Sequence, residues 1–157
     1  MKDFNISASF LGFIYSIVSL FFGIGSLPIS FLYNKLGARK LLLISQLGIA
    51  TSSLIIFFNN ELIPFILFST LLGLFSSVHH PIALTLISER FHKNISKANA
   101  FHGVFGSLGV SLGPYIAYLS TNNYDNWQIA FFAVGMMSLF LSLLTFFFIP
   151  KNEQISK

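Results

Sequence analysis

The chain has 157 residues, of which 54% are hydrophobic and only 9% charged, with 20 Phe and a mean hydropathy of +0.76. A soluble domain carries roughly 25% charged residues, so a chain this poor in charge cannot cover a water-exposed surface and must take lipid as solvent for much of its length. The formal net charge of +4 would suggest nucleic acid in a soluble chain, but in a membrane chain its distribution matters more than its sum, and no nucleic-acid partner is expected.

A spanning helix needs about 20 mostly apolar residues. Five segments qualify, at about 8–33, 41–59, 62–88, 98–120 and 128–149. They are separated by the short polar breaks "NKLGARK", "NNE", "ERFHKNISK" and "TNNYDNW". Breaks this short make neighbouring helices antiparallel. The expectation is one all-α integral membrane domain over residues 1–157 with about five transmembrane helices. "MKDFN" lacks the basic region of a signal peptide, and no small-residue cleavage site follows.

The first span runs into "YNKLGARK". Gly37 stands where a left-handed C-terminal cap would sit, and Lys35 lies beside the negative end of the helix dipole. The third span contains "SSVHHPIALTLIS", where two ionisable rings and a helix breaker interrupt an apolar run. Pro81 has no N–H and crowds the carbonyl four residues earlier, at Ser77, which bends the helix and frees an acceptor. A histidine N–H can satisfy that acceptor, giving His79 and His80 a structural role. Alternatively they contact substrate or relay a proton, since imidazole titrates near pH 6.5.

The fourth span follows a start that Ser96 or Asn94 can cap. It reads "ANAFHGVFGSLGVSLGPYIAYLS". Ala98, His102, Gly106, Gly109, Gly113 and Ala117 recur every three or four residues and share one helix face. Small residues so spaced let another helix approach closely, and van der Waals packing is what holds helices together in lipid. The face serves static packing or a gliding contact, and Pro114 disturbs the helix beyond it. Counting rise along the helices places His80 about 12 Å and His102 about 6 Å from the same membrane boundary. Polar residues at such depth face a bundle interior or a cavity. Tyr124 and Trp127 mark the opposite boundary, before the fifth span.

Orientation follows from the basic residues, which stay on the cytoplasmic side. Lys35, Arg39, Lys40, Arg90, Lys93, Lys97, Lys151 and Lys157 fall on one side and only Lys2 on the other, beside Asp3, Glu61 and Asp125. The amino terminus is therefore expected outside and the carboxyl terminus in the cytoplasm. All five acidic residues are read into breaks or tails, so paired carboxylates are not expected. Cysteine is absent from the sequence, which excludes thiolate chemistry. His79, His80 and His102 have no acidic neighbour in sequence to complete a metal site. No catalytic residue, cofactor or metal is expected, and no enzyme.

"SFLYNKLGARK" resembles the cytoplasmic loop between the second and third helices of the major facilitator superfamily, with Lys35, Gly37, Arg39 and Lys40 at matching positions. Ser30 replaces that pattern's first glycine and Asn34 its acid. "GVSLGPYIA" is similar to the family's fifth-helix pattern, and "NWQIAFFAVGMM" to its sixth-helix entry. The fourth-helix arginine tied to proton coupling would fall near Ser69 and is absent. "SSVHHP" followed by "FHGVFGSLGVSLGP" looks most like the fosmidomycin-resistance type of efflux carrier.

The resemblance implies helices two to six of an amino-terminal half, in a multi-pass protein of a bacterial inner or plasma membrane. It implies a secondary transporter for a small molecule, with protons as a coupling ion in efflux. His79, His80 and His102 would be the pathway groups, Lys35, Gly37, Arg39 and Lys40 an inner-loop gate, and Gly106, Gly109, Gly113 and Pro114 a packing face. A first helix and a second half would be missing, supplied by another chain or another copy. The alternative is a non-transporting scaffold or inactive remnant whose glycine face binds another helical membrane protein.

Overall fold

The computed structural model describes residues 4–150, and among them every regular element is helical. Lys2, Asp3, Lys151 and Lys157, which entered the charge argument, lie outside the described residues. The helices are α1 (Ala8–Ser26), α2 (Ile29–Phe58), α3 (Leu62–Ser76), α4 (His79–Arg90), α5 (Ile95–Tyr124) and α6 (Gln128–Phe148). Four stretches are long and apolar enough to cross a membrane: Ala8–Ser26, Ile29–Phe58, Leu62–Arg90 and Gln128–Phe148. The 30-residue α5 is about 45 Å long at the α-helical rise, enough to cross. Its Gly, Ser, His and Asn content keeps it below the same standard of hydropathy.

Two of the five expected spans are not single helices. The stretch at 8–33 breaks at Leu27–Pro28, because Pro28 cannot donate to the helix ladder. The Leu27 N–H turns back to Ile24 O at 3.1 Å, and Leu32 N restarts the ladder on Pro28 O at 2.9 Å. The stretch at 62–88 breaks at Ser77–Val78, where both residues keep right-handed helical dihedrals. There the Val78 N–H bonds to Phe75 O, three residues back, at 3.4 Å. This break precedes the HHP triplet rather than following it. Pro81 sits in the first turn of α4, where an N–H has no intrahelical partner to lose.

The "NKLGARK" segment breaks the chain where the sequence places a break, but tightly. α2 is two helices, 29–36 and 38–58, joined at Gly37, whose φ 75° and ψ 162° are not helical, so the expected break is there as a one-residue turn. Those angles are not the left-handed cap expected from the sequence; they belong to a region essentially restricted to glycine. Around the bend, Ile29, Tyr33, Ala38, Leu41, Leu42, Val78 and Ile82 form one buried cluster. A second cluster, at the other end, gathers Ile14, Ile56 and Phe65 beneath Trp127 and Phe131. Trp127 thus stacks edge-on with Phe4, Phe65 and Phe131 at centroid distances of 5.5–5.8 Å, while Tyr124 stays exposed.

α2 is the central element, packed against α6, α3 and α4, while α1 packs on α3. The α2–α6 seam is built from small residues. Gly135, Ser138, Ser142 and Thr145 of α6 are buried, and Gly135 comes against Ala50 and Leu54 of α2. Small side chains at helical spacing let backbones approach in lipid, and hydroxyls add bonds across the seam. Ser138 Oγ accordingly donates to Gln46 O at 2.8 Å. At the far end Gln128 Nε2 lies 3.2 Å from Ile56 O, 2.8 Å from Asn59 O and 3.0 Å from Asn60 Oδ1, which pins α6 to the α2–α3 turn.

α5 is different. Ser120 is its one buried residue, and its contacts with α4 and α6 are slight. Asn94 holds its N-cap position, but without a side-chain capping bond.

Candidate functional site

The bend at Gly37 gathers polar side chains at one end of the bundle. Arg39, two residues past the bend, donates from Nη2 to Phe146 O of α6 at 2.6 Å, with its guanidinium 4.6 Å from the Phe146 ring centroid. A cation here neutralises the negative end of α6. One turn before the bend, the Tyr33 hydroxyl donates to Glu89 Oε2 of α4 at 2.9 Å. Glu89 therefore lies in the last helical turn of α4, not in a loop as its neighbours in sequence suggested. Lys35 folds over the Phe31 ring at 4.3 Å, and Lys40 is exposed. Of the four expected gate residues, Gly37 shapes the bend and Arg39 ties α2 to α6, while the lysines face outward.

Three of the chain's four histidines divide into two sites, and His92 lies in the turn between α4 and α5. His79 Nδ1 lies 3.0 Å from Ser45 Oγ of α2, and the same hydroxyl is 2.6 Å from Phe75 O. A serine hydroxyl has one hydrogen, and the short contact to the carbonyl uses it. Nδ1 of His79 is then the donor and Nε2 is left as an acceptor. Phe75 O, which the Val78 N–H reaches only at 3.4 Å, takes a shorter bond from Ser45, and His79 steadies Ser45. The expected bond from a histidine N–H to the Ser77 carbonyl is not the one formed: His79 reaches Ser45 and His80 reaches His102.

His80 points the other way. Its Nδ1 is 3.3 Å from Nε2 of His102 on α5, with ring centroids 5.3 Å apart and planes 30° from parallel. Consecutive helical residues lie about 100° apart around the axis, a consequence of 3.6 residues per turn. Only one of the two histidines can therefore face α5. Ile29, Ser30, Tyr33, Asn34, Pro81, Ile82 and Thr85 line a cavity of about 250 Å³ between α2 and α4, and neither His80 nor His102 is among them.

The glycines of α5 meet no neighbour. A Cβ at Gly103, Gly106, Gly109 or Gly113 would find nothing within 4 Å. Among the described residues, then, the face carrying Gly106, Gly109 and Gly113 packs nothing, and Pro114 lies in a helix that runs on to Tyr124. Close approach occurs instead at Gly25, Gly48, Gly73 and Gly135. The signal for this was legible in α6, where "GMMSLFLSLLT" repeats small residues on one face. Gly48 and Gly73 stand among apolar residues without a pattern. Ser69, at the position where the family's arginine would fall, is buried with its hydroxyl unpartnered.

Comparison with known proteins places these features in a wider family. The sequence profile described as Major Facilitator Superfamily matches residues 1–157. An uncharacterized transporter of Buchnera aphidicola subsp. Schizaphis graminum is 26% identical over 153 residues, covering 97% of this chain and 37% of that protein. Multidrug resistance protein MdtG of Salmonella arizonae is 32% identical over 146 residues, covering 91% of this chain and 35% of that protein. The chain thus spans about a third of the length of these curated relatives. No solved structure matches.

Proposed function

The chain belongs to the major facilitator superfamily, and from that premise we propose that it carries part of a secondary transporter moving a small molecule across a bacterial inner membrane. The family match along the whole chain carries this reading. Transport in such folds works by rocking one half of the protein against the other around a midplane site. Relatives nearly three times as long as this chain support a role for a second half, or another copy, in completing the path. The relative named for multidrug resistance supports efflux as the direction.

His80 and His102 are the pathway groups in this reading, with His79 holding the break in the helix from behind. Ionisable side chains within spanning segments are costly and tend to mark such paths. The kinked segment from Lys35 to Lys40 is the gate, since motion at Gly37 moves Arg39 on α6 and Tyr33 on Glu89 together. In proteoliposomes holding the complete transporter, His80→Gln and His102→Gln are expected to lose flux driven by a proton gradient while keeping substrate exchange. Gln keeps a hydrogen-bonding group but does not titrate near neutral pH. Wild-type pH dependence of flux in both variants would return the histidines to a packing role.

The orientation proposed with this function puts the bend at Gly37 in the cytoplasm. In intact cells, cysteine at exposed Asn123 is expected to react with a membrane-impermeant thiol reagent, and cysteine at exposed Lys40 to be protected. The reverse pattern would overturn the orientation.

The open glycine face of α5 favours a second reading, a non-transporting scaffold that docks another helical protein there. Stable complex formation without any flux in the same proteoliposomes would select it.

A further inference from the structure

We propose that His80 and His102 form a single proton-binding site bridging α4 and α5, in which one proton is shared between the two rings and a second proton parts the helices. The proposal rests on reading these rings as pathway groups and says how they would work. With no added proton, a 3.3 Å separation between Nδ1 of His80 and Nε2 of His102 carries a neutral N–H···N bond. Adding one proton turns this into a charge-assisted bond between an imidazolium and an imidazole, which is the stronger kind. A second proton places an N–H on both facing nitrogens and two like charges 3.3 Å apart, with no acceptor between them. The balance is simple: hydronium gives its proton to the pair and leaves as water, and no electrons move.

The surroundings make the second ring the natural base for that proton. On α4, His79 is turned toward Ser45 of α2. Glu89 holds Tyr33 and lies nine positions from His80, about 13 Å along the helix. Arg90 follows it. Of the other elements, α5 carries Lys97 five positions before His102, while α2 carries Tyr33, Lys35, Arg39 and Lys40 around its bend. Neither α3 nor α6 contains an ionisable residue. Among the described residues, then, neither ring has a carboxylate within a helical turn on its own helix. A metal is less suited to the same pair. It needs both lone pairs to converge on a third point, and no third His, Cys, Asp or Glu joins the pair among the described residues.

α5 touches α4 only slightly, and this pair supplies a side-chain bond between the two helices. Two strongly coupled groups titrate as a unit rather than as separate residues. The test is ring nitrogen NMR of the full chain, labelled with ¹⁵N-histidine in lipid nanodiscs, followed against pH. In the wild-type chain the His80 and His102 signals are expected to move together in two steps that belong to the pair, each ring by about half the full protonation shift in the first. In His102→Gln, His80 is expected to show the full shift alone. Two full, independent titrations in the wild-type chain would overturn the proposal, and that result decides even if a variant fails to fold. The His79 signal, held by Ser45, reports folding throughout. A shared step in a complete transporter that moves no substrate would retire the transport reading and leave this site standing.

Discussion

Gly73→Ala is expected to lower the thermal stability of the chain in detergent sharply, while Gly113→Leu leaves it unchanged. A Cβ at Gly73 would lie 2.7 Å from Val18 O and 2.8 Å from Val18 Cγ1. Val18 O belongs to the backbone of α1, so relief requires α1 and α3 to separate rather than a side chain to rotate. Overpacking of this kind costs about 1–3 kcal/mol. Lipid offers no compensation, because helices there are held by close packing itself. At Gly113 the added side chain meets open space. Equal melting midpoints for the two variants would show that α1 and α3 do not meet at Gly73. A loss confined to Gly113→Leu in the complete transporter would show that a partner covers α5.

A comparable loss is expected for Gly37→Ala, with a different physical cause. Gly37 is buried at φ 75° and ψ 162°, where a side chain adds strain of about 1–3 kcal/mol. The bend also sets the direction of the second half of α2. Relaxing it would withdraw Arg39 from Phe146 O, a bond of 2.6 Å, and move Tyr33 relative to Glu89. Gly12→Ala is the control, since its Cβ would meet nothing within 4 Å and its backbone is ordinary helix. A melting midpoint for Gly37→Ala equal to that of Gly12→Ala would remove the bend as a structural necessity, and the gate assigned to it.

The candidate site was only partly legible. That His79, His80 and His102 lie at related depths follows from counting residues along antiparallel helices. Which histidine meets His102 does not, because the answer depends on how α4 is rotated about its axis. That rotation is set by Ile82, fully buried against α2, and by Ser45 capturing His79. Glu89 was misread because "ERFHK" looks like a polar loop, yet Tyr33 gives its carboxylate a partner that extends α4 by another turn.

Composition and hydropathy alone determined that this is an all-helical membrane protein. They also placed the polar breaks, since an apolar run of a given length has few other solutions in lipid. Three sequence motifs in the family's order pointed to the superfamily. Periodicity determined which residues share a helix face. It could not say which face a neighbour covers, since that depends on the summed fit of six helices and not on any one of them. So the most regular glycine stripe, on α5, stands open, while isolated Gly48 and Gly73 take the close contacts. The break at Leu27–Pro28 is local, set by the missing N–H of Pro28. At Ser77–Val78 a tertiary contact supports the interruption, since Ser45 donates to the Phe75 carbonyl.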